Sequence, residues 1–243
     1  MREPRVLVDA PLSPGARVAL PEAAMRHLVQ VLRMTTGARV RVFDGRGTEV
    51  AAQLEVAGRR EASVVVLETL AAAPEPALAV TLAQAVSKGE RMDYTLQKAV
   101  ELGVTAIQPL VSSRSVVRLD AERQERKLEH WAGVIVSACE QCGRATLPVL
   151  HPLKSLEAWL AEPPGADLRL TLDPLAARGL RDLAPTRAVT LLVGPEGGLS
   201  PEEIAASTAR GFEGVRLGPR VLRTETAGVA ALAALQALWG DLG

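Results

Sequence analysis

The residues best suited to chemistry fall in two short segments. LLVGPEGGLSPEE, Leu191 to Glu203, runs an apolar strand pattern into Gly194, Gly197 and Gly198 and then into a helix start at Ser200, Pro201, Glu202 and Glu203. Glycines leave backbone N–H groups uncovered beside a helix N-terminus, and such a loop can hold a ligand at close range. The segment lacks the Lys-Ser/Thr of a phosphate loop and does not match G-x-G-x-x-G. A dinucleotide site also wants an acidic residue about 20 residues later to hold a ribose. Here the next strand ends in Arg216-Leu217-Gly218, so a nucleotide would be gripped mainly through backbone groups. The competing reading is a tight turn that needs glycine and nothing more.

The second segment is LGPRVLRTETAG, Leu217 to Gly228, in which Gly218-Pro219 makes another tight turn before a helix that opens with Thr224 and Glu225. Two glycine-proline loops leaving consecutive strands set two backbone surfaces side by side at the carboxyl edge of a sheet, where such folds bind ligands. Other constellations are weaker. Cys139 and Cys142 form a C-x-x-C with no second pair, and His27, His130 and His151 are scattered, so no metal site is expected. At the end of a helix pattern the two cysteines read as packing rather than redox groups. A lone His27 reads as structural, and Met92, Tyr94 and Leu96 as core or subunit surface.

The elements that must position these loops follow from the hydrophobic rhythm. From Leu78 onward apolar strands alternate with helical patterns: LAVTLAQAV, TAIQPLV, TLPVL, LRLTL, AVTLLVG and GVRLG are of the continuous type found where both faces of a parallel sheet are covered. Helices are predicted over 91–103, 121–141, 200–211 with Ser200 as N-cap, and in the segment TETAGVAALAALQALW. An α/β domain with a mostly parallel sheet results. Before it lie shorter pieces separated by turn signals: RVLVDA, VRVFDG, TEVAAQLEVA and EASVVVLETL. These predict a small β-rich barrel or sandwich, interrupted by a helix from Pro21 through Leu32 whose apolar stripe is Leu28, Val29 and Leu32. The proline-containing stretch before Leu78 reads as a boundary, giving domains at 1–72 and 78–243 with a linker at 73–77.

The chain of 243 residues has 48% hydrophobic residues and balanced charge, 28 basic against 28 acidic, which excludes disordered, collagen-like and disulfide-scaffold classes. The first residues carry charges without an apolar core, so no secretory leader is expected. The apolar run from Ala227 to Trp239 falls short of the roughly 18 residues a membrane span needs. A cytoplasmic protein with no membrane association is expected. Residues 1 to 73 hold ten arginines, no lysine and eight acids. Guanidinium suits phosphate, but only four lysines occur in the whole chain, and on charge alone a general arginine bias is the better account of the pattern.

Together, GPEGGLSPEE and LGPRVLRTETA at this spacing resemble the signature of the SPOUT-class methyltransferases, specifically the RsmE family of 16S rRNA uridine-N3 methyltransferases. HLVQVLRMTTG, VFDG, SKGERMDYTLQKAVELGV and ACEQCGR follow as similar blocks in the same order, so the resemblance spans essentially the whole chain. It implies a PUA-like RNA-binding barrel followed by a parallel-sheet domain with a C-terminal trefoil knot, a homodimer, and S-adenosylmethionine as cofactor. By the same similarity the cofactor loops fall on Thr171, Leu172 and Asp173; on Val193, Gly194, Pro195, Gly197 and Gly198; and on Leu217, Gly218, Val221, Leu222 and Thr224.

Methylation at uracil N3 needs a group that takes or offsets the N3 proton. Glu196, on the glycine loop, is the first carboxylate expected there, Glu225 the second, and Arg223 is expected to steady the uracil anion or grip a phosphate. Arg2, Arg5, Arg26 and Arg33 of the first domain are expected to contact RNA, either 16S rRNA or the assembled small subunit. A dimeric RNA-binding assembly factor without catalysis is the competing function; intact glycine loops argue against it.

Overall fold

The computed structural model describes residues 3–58, 61–115, 121–162 and 165–242. Contacts divide the chain into two compact units, Met1–Glu75 with Val136–Leu147, and Pro76–Ile135 with Pro148–Gly243.

The first unit is built on β1 (Arg5–Leu7), β2 (Arg17–Ala19), a single helical turn α1 (Glu22–Met25) continuing into a π-helical segment (Arg26–Val31), β3 (Arg39–Phe43), β4 (Glu49–Val56) and β5 (Ala62–Leu70). The strands form one sheet in the order β1-β3-β4-β5-β2, parallel only between β1 and β3. Val6, Val40, Val42, Val50, Leu54 and Val64 bury one face, and Met25 and Leu28 cover it. The expected regular helix over Pro21–Leu32 is not formed. Leu32 N–H donates to the His27 carbonyl, five residues back, and the wider turn rotates the stripe: Leu28 stays buried while Leu32 is 44% exposed. The three-residue β2, with Val18 as its buried side chain, was too short to be legible as a strand.

A linear division at 73–77 misses that Val136–Leu147 belongs with the first unit. Arg5 explains why. Its Nε and Nη2 meet the Glu49 carboxylate at 2.9 and 3.3 Å, its Nη1 donates to the Cys139 carbonyl at 2.5 Å, and Nη2 reaches the Arg144 carbonyl at 3.2 Å. The guanidinium also lies 4.6 Å from the centre of the Phe43 ring. The carbonyls at a helix C-terminus lack intrahelical donors, and Arg5 supplies them from inside the core. Arg5 is therefore corrected from an RNA contact to a buried structural cation. The neighbouring Cys139 is a free thiol pushed up to about 12 by burial, which makes it an inert packing group.

The second unit contains β6 (Ala79–Ala85), α2 (Arg91–Glu101), β7 (Ala106–Val111), the first part of α3 (Ala121–Cys142), β8 (Val149–Leu150), β9 (Lys154–Ser155), α4 (Leu156–Ala161), β10 (Leu168–Leu172), a 3-10 turn (Leu180–Asp182), β11 (Ala188–Val193), α5 (Pro201–Ala209), β12 (Glu213–Val215) and α6 (Thr224–Trp239). Its sheet runs β12-β10-β11-β6-β7-β8, with β9 beside β7, and every pairing is parallel. All strand C-termini thus face one edge. Leu82, Leu191 and Leu192 are fully buried, as strands covered on both faces require. Gly228 lets α6 lie close to the sheet: an added Cβ would stand 3.0 Å from Gln84 Oε1. Among the described residues no helix is long and apolar enough to cross a membrane.

Candidate functional site

The loops that leave β10, β11 and β12 line one cavity of about 680 Å³ at the carboxyl edge of the sheet. Most of the sequence-predicted residues meet there: Leu172, Asp173, Val193, Gly194, Pro195, Glu196, Gly198, Leu217, Gly218, Val221, Leu222, Arg223, Thr224 and Glu225. Two do not. The Thr171 side chain is buried on the other side of its strand, where its hydroxyl meets Ser207 Oγ at 3.3 Å, because adjacent strand residues point to opposite faces. Gly197 faces Arg114, whose Cβ an added Cβ would meet at 3.4 Å. Of the four arginines expected to touch RNA, Arg26 and Arg33 are exposed, Arg5 is buried, and Arg2 lies outside the described residues. Arg33 is a non-glycine residue at positive φ, 55°, where the π-helical segment ends.

Each cavity loop is fixed by specific bonds. Thr224 Oγ1 donates to the Gly194 carbonyl at 2.6 Å and accepts from Gln84 Nε2 at 2.9 Å, tying the start of α6 to the end of β11. An added Cβ at Gly194 would stand 3.0 Å from the Leu199 nitrogen, so this glycine closes its own loop rather than making room for a ligand. Gly218, at φ 74°, is needed for its backbone conformation, since nothing lies within 4 Å of an added Cβ. Ser200 caps α5 in a reciprocal capping box with Glu203. Arg114 Nη1 donates to the Gly197 carbonyl at 3.0 Å and holds the glycine loop from outside.

The two candidate carboxylates differ in their surroundings. Glu196 Oε1 accepts from Lys88 N–H at 3.0 Å and from Arg91 Nη1 at 2.9 Å. Burial pushes its carboxyl up, but these donors and its own N–H more than offset that and hold it below the usual glutamate range. Glu196 is thus ionised, already bonded and a weak base. Glu225 has Oε1 at 3.9 Å from Arg91 Nε, too long for a hydrogen bond, and its buried Oε2 has no hydrogen-bond partner among the described residues. A buried carboxylate oxygen without a partner is an unsatisfied acceptor, here on a residue that lines the cavity. Arg223, at the N-cap of α6, is exposed at the cavity mouth.

Sequence reasoning missed Arg91, Leu175, Leu199, Ile204, Val215 and Ala227 in this wall. Ile204, Val215 and Ala227 were implicit in elements already predicted, whereas Leu175 and Leu199 lie in the loops between them. Arg91 had no local signal, because it lies 105 residues from Glu196 in the chain.

A family profile described as an RNA methyltransferase domain matches residues 74–236, and one described as an RNA methyltransferase PUA domain matches residues 20–67. The Ribosomal RNA small subunit methyltransferase E of Buchnera aphidicola subsp. Schizaphis graminum is 31% identical over 99% of this chain and 98% of its own. The chain belongs to the ribosomal RNA small subunit methyltransferase E family. Another member of that family, from Mycobacterium tuberculosis, is 35% identical over 87% of this chain and 83% of its own. The crystal structure of a family member from Neisseria gonorrhoeae bound to S-adenosyl methionine covers 100% of both chains at 40% identity, with a TM-score of 0.93. The five-stranded unit is accordingly the PUA-like part, and the parallel sheet is the methyltransferase domain of the SPOUT type expected for this family.

Proposed function

We propose that this protein transfers a methyl group from S-adenosylmethionine to N3 of one uridine in 16S ribosomal RNA. The observation that carries this is the cavity formed by three strand-end loops, lined among others by Glu225, whose buried Oε2 has no partner among the described residues. The cavity volume lies within the range of small-ligand pockets. Apolar Leu172, Ile204 and Leu222, with Gly194, Pro195, Gly198, Leu217 and Gly218 of the turns, suit a nucleoside cofactor held mainly by main-chain groups. Bound there, S-adenosylmethionine supplies a methyl carbon on a positively charged sulfur, which leaves as a neutral thioether when N3 takes the methyl and gives up its proton.

In this reading Leu172, Asp173, Val193, Gly194, Pro195, Gly198, Leu217, Gly218, Val221, Leu222 and Thr224 form or fix the cofactor walls. The Glu225 carboxylate receives the N3 proton, and Arg223 at the mouth faces the negative charge that builds on the base. Glu196 serves the loop instead of the proton. N3 lies on the pairing edge of uracil, so the target must be unpaired or turned out of its stack to reach Glu225. Exposed Arg26 and Arg33 hold the RNA backbone. The protein works in the cytoplasm as a homodimer with a trefoil-knotted C-terminal segment. Leu175 and Val221, 92% and 80% exposed at the cavity lip, and Leu238 on α6, 42% exposed, are suited to subunit contact.

The test is incubation of unmodified small ribosomal subunits with methyl-labelled S-adenosylmethionine, followed by primer extension, since N3 methylation blocks pairing. One new stop at a uridine, dependent on the cofactor, is expected. Label without a stop, or a stop at another base, would overturn the N3 assignment.

A further inference from the structure

Arg91 stands at the first position of α2, where the helix dipole disfavours a cation. The location therefore calls for compensation from elsewhere. It comes from two carboxylates that approach different nitrogens of the same guanidinium: Glu196 Oε1 at 2.9 Å from Nη1, and Glu225 Oε1 at 3.9 Å from Nε. Glu196 belongs to the loop after β11, and Glu225 to the first turn of α6. Arg91 thus joins three elements at the rim of the cavity that it also lines.

We propose that Arg91 is a positioning residue that divides the work of two glutamates, fastening Glu196 to the glycine loop and steering Glu225 so that one oxygen is left without a protein partner. This rests on the methyl-transfer reading above. Two features favour division over a simple ion pair. Glu196 Oε1 is shared between Arg91 and the Lys88 N–H, which makes the loop anchor a three-way junction rather than a mobile surface contact. The long approach to Glu225 supplies charge without a hydrogen bond, and the lone pairs of the buried Oε2 are satisfied by no described residue. A flat fork with several N–H groups can face two carboxylates at once, whereas the compact ammonium of lysine is a point charge.

Two double-mutant cycles test the assignment on the full chain. In the first, the dissociation constant for S-adenosylmethionine is measured by calorimetry for R91Q, E196Q and R91Q/E196Q. Each single change is expected to weaken binding about fivefold, and the double no more than either alone, because both remove one junction. In the second, the single-turnover rate at saturating cofactor and small subunits is measured for R91Q, E225Q and R91Q/E225Q. R91Q is expected to slow transfer about tenfold where Glu225 is present and to have no further effect in the E225Q background. R91K is expected to restore one of the two properties at most, whereas a cation needed only for folding or surface charge would be replaced by lysine in both. Additive effects in either cycle, or full rescue by R91K, would overturn the division of roles. A wild-type protein that neither binds S-adenosylmethionine nor methylates the subunit would instead overturn the functional reading on which it rests.

Discussion

Arg5 meets Glu49 at 2.9 Å and Arg91 meets Glu196 at 2.9 Å, yet the Arg5 side chain is 2% exposed and that of Arg91 43% exposed. The first pair sits in the core of the PUA-like unit and donates to the carbonyls that end α3. The second sits on the rim of the cavity in the methyltransferase unit, where water screens it. Equal length therefore does not mean equal role. A buried pair is costly to break because the survivor is left charged and dry, while an exposed pair contributes little to stability and can be spent on geometry.

The sharpest way to break this comparison is Arg5→Met. It should lower the unfolding free energy by about 3 kcal/mol or more, read by denaturant titration, because Glu49 is stranded with half-exposed Arg41, at 3.5 Å, as its remaining cation among the described residues. The double change Arg5→Met with Glu49→Leu should recover only the part due to the stranded Glu49, because the Cys139 and Arg144 carbonyls lose their donor in both variants. Equal destabilisation by Arg91→Gln would show that the rim pair is structural as well.

Next in size is Glu225→Gln, which should slow single-turnover methyl transfer by about a hundredfold while the protein stays folded, since an amide cannot take the N3 proton. A rate within a factor of two or so of wild type would remove Glu225 from the chemistry.

Smaller effects are expected on the PUA-like unit. Arg26→Ala or Arg33→Ala should weaken RNA binding several-fold and flatten the salt dependence by about one charge, measured by filter binding across a salt series. S-adenosylmethionine affinity should be unchanged in both. An unchanged salt slope would exclude that arginine as a phosphate contact.

The smallest concerns acid. The folded-state pKa of Glu196 is lowered, so what its charge contributes to the loop is complete above the ordinary glutamate value of 4.5 and is lost as pH falls through the lowered one. Cofactor affinity measured against pH should therefore differ between wild type and Glu196→Gln at neutral pH and converge below pH 4.5. Curves that converge at higher pH would mean that the lowered value does not apply.

The same contrast explains what was legible before the fold was known. Glycine spacing in GPEGG and LGP reports backbone conformation directly, so Gly218 at φ 74° and the turn closed by Gly194 could be placed on their loops from sequence. Ser200, Pro201 and Glu203 likewise announce a helix start, and α5 begins there. Arginine content reports only charge. Whether that charge faces RNA, as at exposed Arg26 and Arg33, or fills a core, as at Arg5, depends on contacts with residues more than 130 positions away. Thr171 was misassigned because a run of cofactor-loop residues does not reveal which side of the strand each one occupies. The π-helical segment was hidden because a 3.6-residue rhythm fits Leu28 and Val29 on either turn, and only the His27 to Leu32 hydrogen bond distinguishes them.

The central claim is that the three strand-end loops of the methyltransferase unit hold the cofactor, and Gly218 tests it most directly. Its positive φ admits glycine and strains valine, while the open space around it spares neighbouring packing. Calorimetric titration of S-adenosylmethionine into the wild type and into Gly218→Val should show binding in the first and an affinity lower by roughly tenfold to a hundredfold in the second. Equal affinities in the two proteins would contradict the claim.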